Sequence, residues 1–195
     1  MKKKICILFF LLPLSILPQS IDYLEEGRKA IKAKDYTRAS DCLTEYIYKN
    51  SFVAEAFLLR GETYYYNKYF LKAVRDLNYC IKLNSNNYSA YNWLAKIDIR
   101  YKEYDSALSK LSKSLKIKPN VDAWYWTGRI KYEQNNKFSA LQAFEKCIQI
   151  DSNYVEAIYY RALLDEYYRK SAFFKLRKLG SKYANAFRHD YLFSE

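Results

Sequence analysis

Small and large apolar residues recur along the chain at a spacing that predicts a repeated pair of helices. In each copy a small residue is followed twelve positions later by alanine. The small residues are spaced 34, 34 and 33 positions apart, and Ala162 follows the fourth of them by 34. Close helix crossings need small residues at the contact, so this register predicts a crossing in every copy. The pairs are Gly27 with Ala39, Gly61 with Ala73, Ala95 with Ala107, and Gly128 with Ala140.

Large residues flank each pair at one helical turn, which places them on one stripe of each helix. Polar segments such as Lys34-Asp35 separate the two helices of a copy, and segments such as Lys118-Pro119-Asn120 separate successive copies. In the fourth copy Phe138 precedes its alanine by two residues instead of three, which predicts a turn one residue out of pattern. The flanking residues are Tyr23, Phe57, Tyr91 and Trp124 before the small residue, and Leu43, Leu77, Leu111 and Phe144 after the alanine.

This period resembles the tetratricopeptide repeat (TPR), a helix-turn-helix unit of about 34 residues. The resemblance implies an all-α, right-handed superhelical solenoid. The predicted units are about 20–53, 54–87, 88–120 and 121–154, with a degenerate fifth unit and cap at 155–195. In that last unit the expected helix Lys170 to Leu179 has Phe174 where alanine is expected. The family positions are matched by Trp124, Gly128, Ala140 and Phe144; by Gly61, Tyr64, Ala73 and Leu77; and by Tyr91, Leu94, Ala95, Ala107, Leu111 and Pro119.

The first twenty residues are predicted to be a secretory signal peptide. Lys2, Lys3 and Lys4 precede an uncharged apolar run from Ile5 to Leu17. That run is shorter than the roughly 20 residues a membrane-spanning helix needs. The sequence therefore predicts a periplasmic or secreted protein, and an uncleaved membrane anchor is the alternative.

Net charge and cysteine content leave several interpretations open. The formal net charge is +12, which suits an acidic partner, an anionic membrane surface or nucleic acid. The lysines are spread over the chain, which favours solvated helix faces, and export argues against nucleic acid. Cys42, Cys80 and Cys147 lie in apolar-periodic segments and are predicted to be packing residues, with a Cys42–Cys80 disulfide as the alternative.

No arrangement of residues supports catalysis or cofactor binding. The single histidine, His189, has no nucleophile framework around it. The glycines are isolated within predicted helices, so there is no phosphate-binding loop. The sequence also lacks a cluster with metal-ligand spacing. The prediction is a protein without enzymatic activity, metal or cofactor.

The resemblance implies instead that a partner protein or peptide lies in the concave groove lined by the first helix of each unit. Tyrosine offers contact area with a polar tip, and arginine is common at interface hot spots. An acidic, partly apolar segment is the predicted ligand, and abundant tyrosine on exposed helix faces is the alternative explanation. The groove positions carried over from the family are Arg28, Lys32, Tyr65, Tyr66, Asn92, Lys96, Arg100, Tyr125, Arg129, Tyr132 and Tyr159.

The predicted function is a non-catalytic scaffold or adaptor of the cell envelope or secreted space. A membrane-tethered structural element is the alternative, held by an uncleaved N-terminus and a basic C-terminal helix. Between Arg169 and Lys182 basic residues are interleaved with Phe173, Phe174, Leu176 and Leu179. That pattern predicts either a capping helix with a solvated outer face or a helix lying on a membrane surface.

Overall fold

A computed structural model describes residues 22–187, and within that range every regular element is helical. Consecutive helices pack as pairs and the pairs stack in chain order, which confirms the predicted all-α solenoid. The predicted signal segment lies outside the described residues. The helices are α1 Tyr23–Lys32, α2 Tyr36–Lys49, α3 Ala54–Tyr66, α4 Phe70–Leu83, α5 Tyr88–Arg100, α6 Tyr104–Ile117, α7 Val121–Glu133, α8 Lys137–Ile150, α9 Val155–Leu164, α10 Glu166–Lys178 and a short 3₁₀ helix, Lys182–Phe187.

Short polar side chains cap the start of six of these helices. Asn120, for example, accepts a hydrogen bond from the backbone N–H of Ala123 at 2.9 Å. Each such bond satisfies a donor that the first turn of a helix cannot pair internally. The capping residues are Asp22, Asp35, Asn87, Asn120, Asn136 and Asp165.

The turn inside each of the first four pairs contains one residue in the left-handed backbone region. Lys34, Lys68, Lys102 and Asn135 have φ between 57° and 63°. The next residue donates its N–H to a carbonyl in the last turn of the preceding helix, as Glu103 does to Asp98 at 3.0 Å. This is a Schellman-type ending, which reverses the chain tightly and starts the second helix at once.

The small residues allow the two helices of a pair to touch. A Cβ placed on Gly128 would lie 2.6 Å from Cε1 of Phe144, and one on Gly61 would lie 2.8 Å from Cγ of Leu77. The alanines of the register, Ala39, Ala73, Ala107 and Ala140, are completely buried. Each pair therefore packs through its small residues, and the larger side chains fill the space between neighbouring pairs.

The prediction that the fourth turn is out of pattern is wrong. Asn135 lies seven residues after Gly128, as Lys102 does after Ala95, so the turn keeps the register of the others. What has moved is the aromatic residue. Lys137 occupies the first position of α8, and Phe138 is 71% exposed at the second.

The fifth unit is a shortened copy of the others. Its second helix begins at Glu166, earlier than the predicted Lys170, because Asp165 both ends α9 and caps α10. The buried alanine is Ala172, ten residues after Ala162, and Leu176 follows it by one turn, also buried. The loss of two residues from the turn explains why Phe174, at the expected alanine position, is exposed.

All three cysteines in the described range are free thiols. Cys80 and Cys147 are buried, and this burial raises the pKa of the Cys80 thiol to about 11 and that of Cys147 to about 12. Both therefore stay protonated at neutral pH, in keeping with the predicted packing role.

Candidate partner-binding groove

The first helices of successive units, α1, α3, α5, α7 and α9, meet along one face through side chains of their exposed turns. Arg28 of α1 donates to Glu55 of α3 at 2.8 Å, and Lys96 of α5 donates to Asp122 of α7 at 3.2 Å. Arg129 of α7 lies over the ring of Tyr160 in α9, 4.6 Å from its centroid. These contacts define the face that we call the groove, lined by the first helix of every unit.

An aromatic cluster links units one to three within the groove. The Tyr66 ring stacks on Tyr36 with centroids 4.5 Å apart, and it meets Trp93 edge-on at 5.5 Å. Tyr65 packs against Trp93 at 5.1 Å and against Phe70 at 5.7 Å. Tyr66 nevertheless remains 44% exposed. It therefore offers a held aromatic surface to an incoming segment at little cost in side-chain entropy.

Lys96 occupies the centre of the groove and is almost covered there. Its side chain is 12% exposed, and Nζ lies 4.1 Å from the centre of the Trp93 ring as well as beside Asp122. Burial raises the pKa of the nearby Glu62, and the charge of Lys96 acts in the opposite direction. The groove centre is thus a mixed cluster of one cation and two carboxylates, and not a basic site.

Most of the predicted groove cations already have partners within the chain. Arg28 pairs with Glu25 and Glu55, and Arg129 pairs with Glu133 at 3.2 Å. Lys32 and Arg100 are exposed, and neither forms an ion pair with another described residue. Arg100 lies over the Phe70 ring at 4.9 Å. Charge available to a partner is therefore concentrated at these two residues.

Two of the predicted groove residues are buried, so neither presents the accessible side chain that the sequence prediction assigned to it. Tyr125 is only 6% exposed, and its ring packs near Tyr154 at 5.3 Å, between units four and five. Asn92 is 3% exposed, and its Nδ2 donates to Oδ1 of Asn120 at 2.9 Å. Both side chains hold neighbouring units together and have little surface left for a partner.

Tyr132 and Tyr159 are half-buried by neighbouring rings. Tyr132 meets Tyr160 edge-on at 5.3 Å, and Tyr159 stacks on Tyr183 of the 3₁₀ helix at 4.6 Å. The C-terminal segment therefore covers part of the fifth first-helix. Trp93 and Tyr160 were not among the predicted site residues, although each directly follows one that was, Asn92 and Tyr159 respectively.

Other potential sites in the described chain are shallow. Clefts of about 480 and 460 Å³ lie on the outer side of units two and four. Residues at equivalent repeat positions line them, including Phe57 and Tyr79 in one and Trp124 and Lys146 in the other. Among residues 22–187 there is no group of three His, Cys, Asp or Glu side chains that could hold a metal ion. Over the same range we find no helix with the length and apolar character to cross a membrane.

Sequence comparison finds similarity to a tetratricopeptide-repeat protein. No family model matches the chain. TPR repeat-containing protein MJ1428 of Methanocaldococcus jannaschii is 28% identical over 113 residues, which span 58% of this chain and 20% of that protein. The match thus covers about a fifth of the relative's length.

Solved structures share the architecture at low sequence identity. A crystal structure of MamA protein superposes with a TM-score of 0.65 at 20% identity, covering 89% of this chain and 95% of that one. MamA from Desulfovibrio magneticus RS-1 gives 0.62 at 17%, covering 80% and 90%. The first TPR domain of Spaghetti (RPAP3), bound to the HSP90 peptide SRMEEVD, gives 0.53 at 23%, covering 58% and 89%. The repeat register, the stacked helix pairs and these likenesses together show that the chain has the fold of the tetratricopeptide-repeat proteins.

Proposed function

We propose that the chain is a non-catalytic protein-interaction scaffold that binds a segment of a partner protein in the groove. The observation that carries this proposal is the continuous face built by the first helices. Tyr66 is exposed on this face beside Trp93, and Arg100 is exposed over Phe70. A TPR domain of RPAP3 with the same fold holds a peptide of HSP90. That precedent supports peptide binding by this fold.

The exposed groove chemistry favours a partner segment with an aromatic or aliphatic residue followed by an acidic one. The apolar residue would pack on Tyr66, and a carboxylate would reach Arg100 or Lys32. Arg28, Lys96 and Arg129 are held by Glu55, Asp122 and Glu133, so a partner would have to replace those carboxylates to use them. Lys32 and Arg100 therefore steer binding in this proposal, and Lys96 keeps the groove assembled.

A pull-down with charge-reversed protein tests the groove. The variant Lys32→Glu with Arg100→Glu changes two exposed cations of the groove, and we expect capture of the native partner to fall at least tenfold. The control is Arg75→Glu with Lys113→Glu, which reverses two exposed cations on the second helices α4 and α6. Equal capture by wild type and the groove variant would refute groove binding.

Export to the periplasm or the secreted space is also a proposal, and its support is the N-terminal sequence alone. Lys2 to Lys4 and the apolar run from Ile5 to Leu17 precede the described residues. N-terminal sequencing of the native protein tests it: a chain that begins near Ser20 or Ile21 fits cleavage. A chain that retains Met1 and sediments with membranes would favour the tethered structural element.

A further inference from the structure

After its first residue, Glu166, helix α10 and the 3₁₀ helix that follows it carry a concentration of positive charge without acidic residues. Residues 167–187 include no aspartate or glutamate. In the described part of the chain, Lys170, Lys175 and Lys178 form no ion pair, in contrast to the paired cations of the groove. The basic residues of this stretch are Arg169, Lys170, Lys175, Arg177, Lys178 and Lys182.

The two faces of α10 differ in what they contact. Ala172, Phe173 and Leu176 are buried against α9 and the 3₁₀ helix, so this face closes the apolar end of the solenoid. On the opposite side Phe174 is 51% exposed and Tyr167 is fully exposed. The buried face confirms the predicted capping helix, and the opposite face is solvated. We call the exposed side the basic face, formed by Tyr167, Lys170, Phe174, Lys175 and Lys178.

Folding explains only part of the basic face. Cations in the last turn of a helix are favoured by its macrodipole, which accounts for Lys175 and Lys178. The macrodipole gives no reason for Lys170 in the first half of α10. The macrodipole also does not explain why the large rings of Tyr167 and Phe174 are exposed to solvent, because the opposite face of α10 is the one that closes the core.

A cleft of about 490 Å³ opens on the basic face, and both ammonium groups and apolar side chains line it. Lys175 and Lys178 line it together with Phe174, Leu179 and Asn153. Gly180, with a φ of 64°, ends the helix just beyond it. Ammonium groups beside apolar side chains suit a ligand that presents negative charge directly above hydrocarbon.

We propose that the basic face of α10 binds the surface of an anionic phospholipid bilayer. Lys170, Lys175 and Lys178 contact headgroup phosphates, and the rings of Phe174 and Tyr167 enter the interfacial layer, where aromatic residues are favoured. A protein partner fits this face less well, because a stable interface needs on the order of 1,000 Å² of complementary surface and a single convex helix face offers less. This contact is separate from the groove, so a groove-bound partner would be held at the membrane.

Vesicle cosedimentation of the full chain tests the charge requirement. We expect binding to phosphatidylcholine vesicles that contain phosphatidylglycerol, weakened by salt, and little binding to phosphatidylcholine alone. Lys175→Glu with Lys178→Glu should reduce partitioning at least tenfold, since each basic residue near an anionic surface contributes about 1 kcal/mol. The control Lys113→Glu with Lys116→Glu has the same spacing and net charge on exposed positions of α6, and it should bind as wild type does.

A second pair of variants tests the apolar part of the contact. Phe174→Ser should weaken vesicle binding severalfold. The control Phe138→Ser, which removes an exposed ring from α8, should leave vesicle binding unchanged. All variants keep the N-terminal apolar run, so its contribution cancels in each comparison, and circular dichroism checks their folding. Equal losses in the α6 control, equally tight binding with and without phosphatidylglycerol, or equally tight binding to a DNA duplex would each overturn the proposal. A failure of the groove to capture a partner protein would not bear on this membrane-binding proposal.

Discussion

The glycines at the helix crossings differ in how rigid the side chain opposite each of them is. Gly61 faces Leu77, and the third unit already accommodates Ala95 opposite Leu111 in the same arrangement. Gly128 faces the Phe144 ring, which itself stacks on Tyr160 at 5.4 Å. A leucine can change rotamer to admit a methyl group, but a ring stacked on another ring has little room to move.

We therefore expect Gly128→Ala and Gly61→Ala to differ. Gly128→Ala should lower the free energy of unfolding by about 1–3 kcal/mol, the usual cost of overpacking. Gly61→Ala should be within about 1 kcal/mol of wild type, because the higher helix propensity of alanine offsets the contact. Urea denaturation monitored by circular dichroism measures both. Equal effects would mean that the ring yields as easily as the leucine.

Glu62 should make the stability of the protein depend on pH. Burial raises its pKa in the folded protein, so the native state binds more protons than the unfolded state between the two pKa values. Stability from this group is then greatest in acid and is lost as pH rises through the folded pKa. Glu62→Gln removes the penalty, so its stability advantage over wild type should grow from acidic to neutral pH. An advantage that stays constant across that range would contradict this account.

At the scale of helices and turns, the sequence determines much of what the structure shows, but it does not determine rotation about the helix axis. The coincidence of Gly27, Gly61 and Gly128 in one register required helix crossings at those positions, and they are there. Tyr125 follows Trp124 by one residue, which turns a side chain by about 100°. Whether that step places the side chain in the groove or between units depends on Tyr154, which precedes α9, and on Tyr160 within α9. The periodicity of α7 contains no information about either residue.

The sequence pattern predicted a polar break inside each of the first four pairs but not its left-handed residue, because lysine, which occupies that position in three of the four, is not a residue expected at positive φ. Lys102 adopts a φ of 61°, where a side chain costs roughly 1–2 kcal/mol relative to glycine. Lys102→Gly should therefore stabilise the protein by about 1 kcal/mol in thermal or urea unfolding. Lys113→Gly, within α6, should destabilise it by a similar amount. A loss of stability in both variants would show that the turn lysine contributes contacts of its own.

For the whole molecule, the stacking of pairs makes stability a matter of nearest neighbours. The buried clusters join each pair to the next, as Phe57 and Leu77 of unit two join Ala90 and Leu94 of unit three. The buried cluster at the C-terminal end, which includes Ile158 and Phe173, shares no buried residue with the cluster of units two and three. A local defect should therefore loosen adjacent units more than distant ones, as in other repeat proteins.

The ion pair between Arg60 and Asp76 allows this to be tested. Arg60 donates to both carboxylate oxygens of Asp76, at 2.7 and 3.0 Å, and Asp76 is almost fully buried. Asp76→Ala leaves a largely buried guanidinium unpaired, which typically costs about 3–5 kcal/mol. Hydrogen exchange should then show lower amide protection in α2 to α5, with α9 and α10 close to wild type. The double variant Arg60→Leu with Asp76→Leu, which removes both charges, should recover most of the lost protection. Uniform loss along the whole chain in Asp76→Ala would mean that the solenoid unfolds as one cooperative unit.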